Sequence, residues 1–129
     1  MPAVVYPYAI LAGRRSPLIP LGLGYQGKWQ RVQAYVDSGA SVFKTDFALL
    51  LGLVWQQGER VYVQVGDGGF IPVYLHSVDV QLQRYRFSGR IGFSDHLGVR
   101  FNIMGRVPLF ERFVICFGDR QGIVRLEPY

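Results

Sequence analysis

Short runs of alternating apolar and polar residues, separated by glycine-rich turns, constrain this chain more than any other feature. In Arg31-Val32-Gln33-Ala34-Tyr35-Val36 the small apolar side chains fall at every second position. The same period recurs in Arg60-Val61-Tyr62-Val63-Gln64 and in Ser77-Val78-Asp79-Val80-Gln81-Leu82. A period of two puts one set of side chains on a buried face and the other on an outer face, the pattern of a half-buried strand. Gln26-Gly27-Lys28 and Gly66-Asp67-Gly68-Gly69 supply hairpin turns between such strands. Glycine occurs 16 times in 129 residues, half the residues are hydrophobic and 18% are charged, so a β-rich core outcompetes a helical bundle or a disordered chain. The length fits one domain covering 1–129. Strands at this spacing predict an all-β fold, a small closed β barrel with one or two short helices.

Residues 1–16 read as an N-terminal arm. Pro17 to Leu23 is extended, and its prolines place it at a sheet edge. A strand follows from Trp29 to Val36. Thr45-Asp46 offers an N-cap and a first-turn acid for a helix from Phe47 to Leu51, stopped by Gly52. The strand around Val61 to Val65 returns through Phe70 to Leu75, and Val78 to Leu82 forms a further strand. Phe87 to Phe93 is a strand broken by Gly89 and Gly92. Asn102-Ile103-Met104 is a short apolar strand ending at Gly105, and Pro108 to Phe113 is a helical turn. The tail forms a hairpin of Val114–Phe117 and Ile123–Leu126.

The net charge is +5, yet the arginines are scattered and only Arg14-Arg15 are adjacent. That distribution argues against nucleic acid as a partner. One cysteine, Cys116, excludes an intrachain disulfide and the usual zinc spacings, so no metal is expected. Its strand-like surroundings make it a small buried hydrophobe. The apolar stretch Ala3 to Ala12 precedes its positive charges, the wrong order for a secretory signal. The longest apolar run, Phe47 to Trp55, is far short of the about 18 residues that span a bilayer. A cytoplasmic protein without membrane contact is expected.

Chemistry concentrates at Asp37-Ser38-Gly39-Ala40-Ser41, where an acid closes an apolar strand and a turn of small residues begins. Three further segments follow in order: Val65-Gly66-Asp67-Gly68-Gly69-Phe70-Ile71, then Phe101-Asn102-Ile103-Met104-Gly105-Arg106, then Pro108-Leu109-Phe110-Glu111-Arg112-Phe113. Together they resemble the retropepsin-like aspartic proteases, the single-domain homodimeric relatives of retroviral proteases. The resemblance runs from about Pro17 to Pro128, with the flap only loosely matched.

The resemblance implies an aspartic endopeptidase with Asp37 as its catalytic acid. The acid triplet appears once, so the second carboxylate would be Asp37 of a second, identical chain. Ser38 would brace the two catalytic loops across the dimer. Gly39 would lend its carbonyl to the substrate backbone, and Ala40 would line the pocket. Gly66, Asp67, Gly68, Gly69 and Phe70 would form a flap over a peptide or protein substrate. Gly105 and Arg106 would support the site, Gly105 by close packing beneath the loop. No cofactor is implied. Retroviral members often carry an acid where this chain has Ser41, so Arg106 lacks its usual partner. The termini would supply dimer-interface strands. A retropepsin-like dimerisation or peptide-binding module without proteolysis is the alternative.

Overall fold

The computed structural model describes residues 2–129. Among the described residues twelve strands are present: β1 Val4–Pro7, β2 Ala9–Leu11, β3 Arg14–Ser16, β4 Leu18–Tyr25, β5 Lys28–Val36, β6 Val42–Lys44, β7 Glu59–Gln64, β8 Phe70–Leu82, β9 Tyr85–Ser94, β10 Asn102–Met104, β11 Phe113–Gly118 and β12 Ile123–Pro128. One α-helix, α1, covers Thr45–Leu50, and short helical turns lie at Trp55–Gln57 and Arg106–Phe110. The all-β class is therefore as the alternating runs predict.

Seven strands form one sheet in the order β4-β5-β10-β6-β9-β8-β7. β8 also returns to β4, with Gly22, Leu23 and Gly24 facing Gln81, Val80 and Asp79, so the pairings make a ring. This corrects the edge assignment for the proline-rich segment. Pro20 lies opposite Gln33 of β5 and precedes the stretch that meets β8, so its missing N–H is not needed there. β5 begins after a two-residue turn in which Gln26 and Gly27 both have positive φ, 49° and 82°. That conformation matches the twist of an antiparallel pair.

β8 runs unbroken for 13 residues, where two strands were expected. Its first half pairs with β7 and its second half meets β4, while β9 pairs with it from Tyr74 to Leu82. Gly89 and Gly92 do not break β9 either. A Cβ at Gly89 would overlap Pro108, and one at Gly92 would overlap Val73, so both are points of close approach. The expected Thr45 cap is also displaced. Lys44 occupies the N-cap without a side-chain cap bond, and its backbone N–H donates to Asn102 Oδ1 at 2.9 Å. Asp46 lies in the first turn, where the helix dipole favours an acid.

The arm is itself structured. β1 pairs antiparallel with β12, which pairs with β11, giving a three-stranded sheet β1-β12-β11, and β2 and β3 form a hairpin. Val4, Tyr6, Val124 and Leu126 of this sheet join Ile19, Phe43, Val80, Ile91, Phe93 and Met104 in one buried cluster. Cys116 is exposed, contrary to expectation. Phe113 faces inward and Val114 outward on β11, so the apolar residues occupy both faces and the sequence alone does not orient the thiol.

Candidate active site

β10 lies between β5 and β6, parallel to β5 and antiparallel to β6. The segment 37–41 leaves β5 and must cross the end of β10 to reach β6. That crossing explains its composition. Asp37 N–H donates to Met104 O at 3.2 Å, and Arg106 N–H donates to Gly39 O at 2.9 Å. A Cβ on Gly105 would overlap the Gly39 carbonyl, so only glycine permits the loop to pass this close. The close packing expected of Gly105 is present.

Ser41, buried at 6% exposure, pins the far side of the crossing. Its Oγ accepts from Gly105 N–H at 2.7 Å and donates to the Val107 carbonyl. A neutral hydroxyl thus holds the backbone on both sides of Arg106. The Arg106 side chain is exposed and, among the described residues, forms no ion pair. Asp37, Ser38, Gly39 and Ala40 are exposed above this frame.

Two clefts, each about 510 Å³, meet at the loop. The first holds Asp37, Gly39 and Ala40 on one side and Val63 through Asp67 of the β7–β8 hairpin on the other. The second contains Ser38, Gly39, Ala40, Ser41 and Arg106, closed by Val63, Val73 and Leu75 of the same hairpin. The structure therefore brings Asp37, Gly39 and Ala40 together with Gly66 and Asp67. Gly68, Gly69 and Phe70 line neither cleft. Ile71 lines the Asp37 cleft instead of Phe70, because adjacent residues on a strand point to opposite faces. The hairpin tip is shaped by Val65 N–H donating to Gly69 O, and by Asp67 Oδ1 accepting from Gly69 N–H at 2.8 Å.

The chain shares its fold with a known protease. A crystal structure of a retropepsin-like aspartic protease from Rickettsia conorii superimposes with a TM-score of 0.64, covering 98% of this chain and 99% of that one. The two sequences are 16% identical, so the likeness is one of fold. No family model matches the chain, and no curated protein matches it in sequence.

In this retropepsin-like fold, the segment from His96 to Val99 also lines the Asp37 cleft. It connects β9 to β10, and Ser94 Oγ holds its start by donating to Pro72 O and accepting from His96 N–H. His96 Nδ1 lies 2.7 Å from Asp95 Oδ1. Nothing local marks these residues as site residues, because only the crossing from β9 to β10 delivers them. His76 lies outside both clefts, with Nε2 2.9 Å from the Trp55 carbonyl. Among the described residues no helix is long and apolar enough to cross a membrane.

Proposed function

We propose that this chain is an aspartic endopeptidase that works as a homodimer, with one Asp37 from each subunit. One observation carries the reading. An exposed acid stands at the end of β5, across a cleft from a glycine-tipped hairpin, on a fold shared with a retropepsin-like aspartic protease.

The chemistry follows from the single acid. Hydrolysis by this route needs two carboxylates around one water. One carboxylate takes a proton from the water as it attacks the peptide carbonyl, and the other gives a proton to the carbonyl oxygen. Carboxylates this close hold one shared proton between them, because two adjacent negative charges repel. A two-fold axis beside the exposed loop 37–40 brings the second Asp37 into place and lets the two Ser38 hydroxyls brace the loops. The Gly39 carbonyl already accepts from Arg106 N–H, and its second lone pair is left for a substrate N–H. The β7–β8 hairpin closes over an extended peptide and excludes water. The chain acts as one domain, since the seven-stranded and three-stranded sheets share one buried cluster.

The test is cleavage of a mixed peptide library by wild type and by Asp37→Asn. Wild type cleaves, and the variant loses about a thousandfold or more in kcat/KM. Both proteins give the same circular dichroism, because Asp37 is exposed in the single chain and lies outside its core. Equal cleavage by the two proteins would sink the reading. Binding of peptides without cleavage by either would favour a binding module.

A further inference from the structure

The two clefts beside the loop carry opposite charge. The Asp37 cleft also contains Asp67 and His96, whereas the charged side chains lining its neighbour are Arg90 and Arg106. These two arginines are not equivalent. Arg90 Nη2 lies 2.6 Å from Glu59 Oε2, so its charge is already matched. Arg106 has no ion pair among the described residues. The backbone around it is nonetheless fixed, because Ser41 holds Gly105 N–H and the Val107 carbonyl while Arg106 N–H is held by Gly39. A guanidinium on an anchored backbone, beside a wall of Val63, Val73, Leu75 and Val107, is arranged to receive a carboxylate on an aliphatic stem.

We propose that Arg106 makes this cleft a subsite for an acidic side chain, Glu or Asp, of the peptide substrate. The proposal rests on the protease reading and names its substrate class. Arg106 is a specificity-determining residue in it, with no part in moving protons. A planar fork of donors can hold both carboxylate oxygens at once, whereas the Asp37 cleft repels the same group through Asp37 and Asp67. The net charge of +5 favours approach of acidic peptides in the same sense.

The experiment uses C-terminally amidated peptides in which one Glu is moved through the positions around a central apolar pair, each matched with a Gln twin. Cleavage is read as kcat/KM on wild type, and binding as fluorescence anisotropy on Asp37→Asn. At one position Glu is preferred over Gln by about fivefold or more. Arg106→Gln abolishes that preference, Arg106→Lys keeps part of it, and Arg90→Gln keeps it. Melting curves check that each variant folds, which the exposure of the Arg106 side chain favours.

Cleavage without any Glu preference, or a preference that survives Arg106→Gln, overturns the subsite and leaves the protease reading standing. A Glu preference in binding that depends on Arg106, with no cleavage by wild type, keeps the subsite and overturns the protease reading. No difference between Glu and Gln in either assay, or no binding at all, overturns the subsite. A gain confined to free-acid versions of the peptides would assign the cleft to a chain terminus, which also overturns the side-chain proposal.

Discussion

Ser41 shows how one side chain can replace a charge. The resemblance to retropepsin-like proteases leads one to look for an acid here, paired with Arg106. The buried hydroxyl instead bonds directly to the backbone, through Gly105 N–H and the Val107 carbonyl. The loop is therefore braced without an ion pair, and the Arg106 side chain is released into the cleft. Removing the hydroxyl should be costly, because Gly105 is buried and its N–H would lose its partner. Ser41→Ala is expected to destabilise the fold by about 1–3 kcal/mol, the cost of an unsatisfied buried polar group. Urea denaturation checks this, and an unchanged midpoint would show that the hydroxyl does not brace the crossing.

At the scale of elements, the β7–β8 hairpin joins an anchored base to a glycine-rich tip. Its base is tied into the ring because β8 continues for 13 residues and meets β7, β9 and β4. Its tip projects beyond these ladders and is exposed from Gly66 to Phe70. Gly68 has φ of 87°, which a β-branched residue adopts only at a cost of about 1–2 kcal/mol. Gly68→Val should therefore distort the tip while leaving the core intact. We expect slower peptide cleavage with a melting temperature lowered by only a few degrees, about what 1 kcal/mol produces in a small domain. Unaltered kcat and KM in a folded variant would argue against a closing role for the tip.

At the scale of the whole molecule, one buried cluster joins the seven-stranded and three-stranded sheets, and two tyrosines beside the terminal sheet report on it. Tyr6 is buried, which pushes its hydroxyl up to about 12. Tyr8 is also pushed up to about 12, first by burial and then by its hydrogen bond to Asp119. An unfolded tyrosine ionises near about 10. Both groups keep their protons in the folded chain after the unfolded chain has lost them. Their contribution is fully present below pH of about 10 and is lost as the pH rises towards about 12. Denaturation midpoints should fall steadily above pH of about 10, and Tyr6→Phe should flatten that fall. A fall of equal slope in wild type and Tyr6→Phe would remove Tyr6 from the account.

Local pattern by itself determined much of this protein. The alternation in β5, in β7 and in Val78–Leu82 of β8 marked strand and facing, because the period of two is built into the extended backbone. Gln26-Gly27 and Gly66–Gly69 announced their turns, since the backbone there takes a shape that glycine favours. The order of Asp37, the glycine-rich hairpin and Gly105-Arg106 announced the candidate site. The turn at Gln83-Arg84 was not announced, because neither residue is a usual turn former, although Gln83 takes a φ of 50°. Only the tertiary structure decided that β8 is one strand, that Ile71 and not Phe70 lines the cleft, and that Cys116 faces outward. It alone delivered His96 to the Asp37 cleft and placed β10 between β5 and β6. These outcomes depend on which distant strands pair and in what register, and register is set by the closing of the ring as a whole.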